Sequence, residues 1–178
     1  MLKSKYNGGL RLENPYPVTE IDLIRIPLPD KVVLPMQQRI GNQAIPIVSV
    51  GERVLTGQII ATIDDQRCAP VHASISGTVV AIDEHVYAHK SRLKGLCVTI
   101  ESDGKDEWVD TSIGCTERYE TCTPNTIYNK IRVSGIVGMG GAGFPTHTKV
   151  RLAEGCHTLI VNATECEPGI TCDAALME

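Results

Sequence analysis

Ile136-Val-Gly-Met-Gly-Gly-Ala-Gly-Phe-Pro-Thr146, with Lys149 just beyond it, places glycines at 138, 140, 141 and 143. A loop this poor in Cβ atoms allows positive φ and lets a ligand come close to the backbone amides. Pro145 reads as the first residue of a helix, where its missing N–H costs nothing, and the free N–H groups of that turn favour an anion. Lys149, one turn on, adds a positive charge. A tight turn without a ligand is the plainer alternative, but such a turn seldom needs four glycines so close together.

Gly138, Gly140 and Gly143 form a G-x-G-x-x-G, and Glu165 follows at about the distance of the acid in a dinucleotide-binding fingerprint. That fingerprint needs a strand before the glycines. Here Thr123-Pro-Asn-Thr-Ile-Tyr-Asn-Lys-Ile-Arg-Val-Ser-Gly135 reads as a helix. Thr123 is its N-cap and Pro124 its first residue, Ile127, Tyr128 and Ile131 share a face, Lys130 and Arg132 suit the last turn, and Gly135 stops it. A glycine loop between two helices is not a Rossmann turn.

The second motif is Asn162-Ala-Thr-Glu-Cys-Glu-Pro-Gly169, followed by Thr171-Cys-Asp173. With the glycine loop and Lys149, it resembles the flavin-binding core of the NADH-oxidising subunit of respiratory complex I. It resembles still more the RnfC protein of the Rnf complex, an ion-translocating ferredoxin:NAD oxidoreductase. The resemblance implies that Gly138, Gly140, Gly141, Gly143, Lys149, Asn162 and Glu165 surround FMN, with Phe144 and Glu167 near NAD(H). Where complex I subunits generally have an acid this chain has Thr164, and no role is carried over to that position.

The whole chain has 178 residues, 42% of them hydrophobic, enough for one or two domains with a real core. A net charge of −4 without a basic tract argues against nucleic acid or anionic lipid as the main partner. Met1-Leu-Lys-Ser-Lys-Tyr6 is too short and polar for a signal peptide, and no apolar run approaches the ~20 residues of a membrane helix. The expectation is a soluble, cytoplasmic chain that reaches a membrane only through partner subunits.

Seven cysteines, at 68, 97, 115, 122, 156, 166 and 172, contain no C-x-x-C pair and none of the closely repeated spacings of iron–sulfur ligation. Reduced thiols are the simpler reading. His85 and His89, beside Asp83 and Glu84, have a spacing that on a helix would suit a metal, but a solvated loop is preferred and no metal site is assigned. His72 is read as a structural hydrogen-bonding residue, and His147 as a neighbour of the flavin phosphate.

Residues 1–30 are rich in Gly, Pro and Asn and read as an extended arm. Between 31 and 102, short β-branched runs separated by Gly, Pro and Asp turns predict strands at Val32–Leu34, Ile45–Val50, Gln58–Ile63, Gly77–Ile82 and Leu96–Ile100. Val48–Ile60 and Ala69–Ile82 resemble the barrel-sandwich hybrid of biotinyl and lipoyl carrier domains, with Val54, Ile59, Val79 and Ile82 facing inward. Carrier domains hold a modifiable lysine at the hairpin tip. Asp64-Asp-Gln-Arg-Cys68 has none, so the module reads as a scaffold or docking surface, which RnfC proteins also carry at their N-terminus.

Residues 103–122 read as a linker, Pro145 to Glu154 as a second helix ended by Gly155, and Thr158-Leu-Ile-Val161 as a buried strand. The fold class expected is therefore α+β: an all-β barrel-sandwich hybrid, then, over 123–178, the incomplete start of an α/β FMN- and NADH-binding domain. Relatives continue further, with 4Fe-4S clusters in a later domain, so the chain reads as an N-terminal piece, inactive and flavin-poor by itself. A selenocysteine codon read as a stop is one conceivable cause, since some RnfC-like proteins are selenoproteins. The resemblance implies no catalytic acid or base, and a subunit that works with other electron-transfer subunits and with ferredoxin or a terminal reductase. A soluble reductase system, such as proline reductase, and a non-catalytic docking module are the rival readings.

Overall fold

The structure, a computed structural model, describes residues 25–39, 41–62, 68–88, 91–110, 118–139, 143–162 and 173. Contacts divide the chain into two compact units, Ile26–Cys156, and Met1–Arg25 together with His157–Glu178. Almost all described residues belong to the first.

That unit is built on seven strands: β1 (Lys31–Pro35), β2 (Ile45–Pro46), β3 (Arg53–Val54), β4 (Ile59–Thr62), β5 (Val71–His72), β6 (Gly77–Val86) and β7 (Lys94–Ser102). They form two antiparallel sheets, one in the order β1-β7-β6-β3 and one in the order β2-β4-β5. Inward side chains of both sheets make one core from Met36, Val48, Val54, Ile60, Val71, Ile75, Val79, Val98 and Ile100 with several alanines. Burying each of the larger ones is worth about 1.5–3 kcal/mol.

The five expected strands are present, with changed limits. Ile45–Val50 yields only Ile45–Pro46, because Pro46 has no N–H for the ladder and the chain turns at Ser49, whose carbonyl accepts from Glu52 N at 3.1 Å. The two-residue strands β3 and β5 were not predicted. Val54 and Val79 are fully buried as expected, Ile82 is half-buried but packs against the core, and Ile59 is half-buried outside the core cluster. The pairing of β4 with β5 shifts between Ile59 and Ala61, and that of β6 with β7 between Val79 and Ala81. Such a bulge breaks strict alternation, so that consecutive Ile60 and Ala61 both enter the core.

The segment read as a linker begins tied to the barrel. Ser76 Oγ donates to Asp103 at 2.6 Å, Lys105 N to the same carboxylate at 3.0 Å, and Arg53 bridges Asp103 at 3.0 Å and Glu107. Thr56 exchanges backbone hydrogen bonds with Glu107 and Val109 around a parallel bridge to Trp108.

After a single 3₁₀ turn at Tyr119–Thr121 comes α1 (Pro124–Val133). Thr123 is its N-cap, accepting from Thr126 N at 3.2 Å, as the sequence predicts. Ile127, Tyr128 and Ile131 are half-buried. The second helix, α2 (Thr146–Leu152), is shorter than expected, because Pro145 is its N-cap with ψ near 120° rather than its first helical residue. Thr158–Val161 is not a buried strand. Leu159 and Ile160 are 86% and 85% exposed, and no described strand lies beside them to satisfy their backbone groups. Most of the expected N-terminal arm, 1–24, lies outside the described residues.

The Ser76 hydroxyl, followed by the Lys105 amide and Arg53, lowers the Asp103 carboxyl from its ordinary value to about 2. A depressed carboxylate stabilises the fold at pH values above its ordinary pKa and loses that effect as pH falls through the folded one. The thermal midpoint is therefore expected to drop between about pH 4 and pH 2, and Asp103→Asn to have a lower midpoint at neutral pH and a smaller drop over that window.

Candidate functional site

Helix α1 delivers the chain to the glycine loop from a fixed point on the barrel. Its carbonyl at Val133 accepts from the imidazole of His72 on β5 at 2.9 Å, and Arg132 Nε donates to the Cys68 carbonyl at 3.1 Å. The last carbonyls of a helix lack intrahelical partners, so His72 meets a need that α1 cannot meet itself. This is the structural hydrogen bond expected of His72. Gly135 follows against the imidazole, where a Cβ would stand 2.8 Å from His72 Cε1 and Nδ1.

The loop is closed at its base. Val137 and Pro145 form an antiparallel bridge, Gly138 N donates to Phe144 O at 2.8 Å, and Thr146 N donates to Ile136 O at 3.2 Å. Gly143 has φ +55°, and a Cβ on it would meet Arg39 Cα at 3.1 Å and Gln38 O at 3.3 Å. Both the left-handed backbone and the close approach to the turn after β1 require glycine there. Gly138, Gly143 and Phe144 thus share one clamped loop. Lys149 sits one turn into α2 and is exposed. Gly140, Gly141, Glu165 and Glu167 lie outside the described residues, and Asn162 belongs to the other compact unit.

In the turn after β1, Nε and Nη2 of Arg39 are buried and meet no hydrogen-bond partner among the described residues. Burial lowers the Arg39 pKa, because it disfavours the charged form. The described part of the loop fits an anionic group: a backbone that tolerates close approach, with the exposed Lys149 one turn beyond it. A second polar cleft of about 250 Å³ lies between the helices, lined by Asn125, Tyr128, Asn129, Arg132, His147 and Arg151. His147 is buried there, 3.3 Å from the Thr148 hydroxyl. An open, apolar groove of about 1000 Å³ between barrel and α1, bordered by Ile59, His72, Trp108 and Val133, takes no described residue from the glycine loop.

Arg39 escapes a reading of the sequence because nothing in Met36-Gln-Gln-Arg39 marks it; only folding brings it under Gly143. His85 pairs with Asp83 at 2.8 Å, and no group of three His, Cys, Asp or Glu among the described residues is placed to hold a metal. His89 lies outside the described residues.

The family model described as the RnfC barrel sandwich hybrid domain matches residues 4–105. The chain belongs to the RnfC barrel sandwich hybrid domain family. A second model, the Nuo51 FMN-binding domain, matches residues 131–178, which contain the whole glycine loop. Three relatives are named as the C component of an ion-translocating oxidoreductase complex. That of Serratia proteamaculans is 44% identical over 159 residues, covering 89% of this chain and 22% of the relative. That of Edwardsiella ictaluri is 46% identical over 160 residues, 89% of this chain and 20% of the relative. That of Pseudomonas aeruginosa is 43% identical over 175 residues, 97% of this chain and 22% of the relative. The chain thus spans about a fifth of the length of these relatives.

Burial, and to a lesser degree the nearby Arg39 charge, lowers the His72 pKa, opposed by its bond to Val133. A base with a depressed folded pKa leaves stability unaffected above its ordinary value, and stability is lost as pH falls below it. Below about pH 6.5 the barrel–α1 seam is expected to weaken, seen as earlier proteolysis between 118 and 135. His72→Gln, which keeps a donor without a titrating group, is expected to remove that pH step.

Proposed function

We propose that this chain is the N-terminal part of an electron-transfer flavoprotein of the ion-translocating oxidoreductase type, and that its glycine loop holds the phosphate end of FMN. The observation that carries the reading is the clamped glycine loop, with its left-handed Gly143 and Lys149 one turn beyond, within the segment that matches the FMN-binding family. Bound FMN would supply two-electron exchange with NAD(H) and one-electron exchange with iron–sulfur centres.

The residues of this chain bind and orient. Amides of 138–143 and Lys149 neutralise phosphate, Asn162 and Glu165 hydrogen-bond the flavin, and Phe144 and Glu167 border the nicotinamide side. None is assigned a catalytic proton transfer. On the same reading, 31–102 is the scaffold or docking module, 123–178 begins the flavin domain, and other subunits of an oxidoreductase complex, with ferredoxin or a terminal reductase, are the partners. Attachment to a membrane would run through those subunits: among the described residues no helix is long and apolar enough to cross one.

The test is an absorbance spectrum and NADH titration of this chain beside a version extended through any downstream coding sequence. A yellow extended protein that NADH bleaches supports the proposal; if neither version takes up flavin, the glycine loop is structural and the barrel is a docking module. In the flavin-binding form, Lys149→Ala is expected to weaken FMN binding by about tenfold, the scale of one charge-assisted hydrogen bond. Glu167→Gln is expected to change NADH affinity more than flavin content.

A further inference from the structure

Helix α1 places Asn125, Tyr128, Asn129 and Arg132 at intervals of three and four residues, so they share one face, and α2 does the same with His147 and Arg151. The two faces meet across the polar cleft of about 250 Å³, which these six residues line and to which the glycine loop contributes no described residue. All six belong to the unit Ile26–Cys156.

No acid lines the cleft, and neither helix contains one, although the two carry Lys130, Arg132, Lys149 and Arg151. A merely solvated helix face usually mixes charges of both signs. Arg132 is half-buried, and its Nε is committed to the Cys68 carbonyl at 3.1 Å, which fixes the guanidinium at the cleft wall. No carboxylate among the described residues forms a salt bridge with Arg132 or Arg151. Two permanent positive charges therefore converge on one small space, with amide, phenol and imidazole groups around them. Arginine does not relieve that repulsion by losing its proton. An oxyanion relieves it, because guanidinium forks bind such groups through paired, charge-assisted hydrogen bonds. Pockets for whole ligands run from about 300 to 1,000 Å³, so this cleft suits a single charged group.

We propose that the cleft between α1 and α2 is a second anion site, separate from the glycine loop, which holds a phosphate group through Arg132 and Arg151. Free phosphate and a small phosphomonoester share this chemistry. The site does not rest on the flavin reading, and its failure would leave that reading untouched.

The test is arginine modification by phenylglyoxal, read residue by residue by mass spectrometry on the full chain, with calorimetric titrations of inorganic phosphate and of adenosine monophosphate at constant ionic strength in chloride. Arg151→Gln, Arg132→Lys and Lys149→Ala are compared with wild type after circular dichroism has verified folding. Phosphate is expected to slow modification of Arg132 and Arg151 and to leave the exposed Arg118 unchanged. Arg151→Gln is expected to lose about tenfold in phosphate affinity, Arg132→Lys part of that, and Lys149→Ala less than about twofold. Protection by both ligands upholds the site for phosphomonoesters, and protection by phosphate alone upholds it for the free ion. The proposal is overturned if neither ligand protects the two arginines better than chloride does, or if a folded Arg151→Gln protein keeps the wild-type affinity that Lys149→Ala loses. An acidic peptide that protects both arginines where phosphate does not also overturns it.

Discussion

The contact on which this unit depends is the approach of a glycine backbone to the root of a half-buried arginine. Gly143 lies so close to Arg39 that a Cβ there would crowd its Cα at 3.1 Å, and it has a left-handed φ that other residues adopt at a cost of roughly 1–2 kcal/mol. Two bonds hold the helix that leads into this contact: His72 meets a carbonyl at the end of α1, and Arg132 reaches back to the Cys68 carbonyl. Each joins a side chain to backbone, so the seam fixes the course of the main chain and not only the neighbourhood of two surfaces.

The barrel makes such a seam possible because it is stiff where the seam attaches. β5 carries His72 and the buried Val71, and Arg39 follows closely on Met36, one of the most buried side chains of the core. The exit from the barrel is fixed as well, since Asp103 gathers Ser76, Arg53 and the Lys105 amide at one carboxylate. Contacts therefore run from the barrel through α2 as one unit from Ile26 to Cys156, although composition changes sharply near 103.

Much of the architecture was legible in the sequence because it is local. β-branched runs between turn residues located β1, β2, β4, β6 and β7, and Thr123-Pro124 marked the start of α1 through a cap whose chemistry needs only a hydroxyl and an amide. The misses have non-local causes. Ile59 lost its inward place at a bulge set by cross-strand pairing, and Thr158–Val161 has the composition of a strand but no described neighbour to pair with. At the site, the glycine loop and Lys149 stood out as a motif, whereas Arg39 was invisible because one arginine in a turn has no spacing to read.

The division of labour in the site has an energetic consequence. Arg39 bears a desolvation cost, because two of its donors are buried without partners among the described residues, and that cost weakens the seam it lies in. An anion that takes up its free donors removes part of the penalty, and whatever binds only the folded state also stabilises it by mass action. An anion bound there would tighten the seam as well as occupy it, so the barrel is more than a passive support: it carries a charge whose cost depends on what settles beside it.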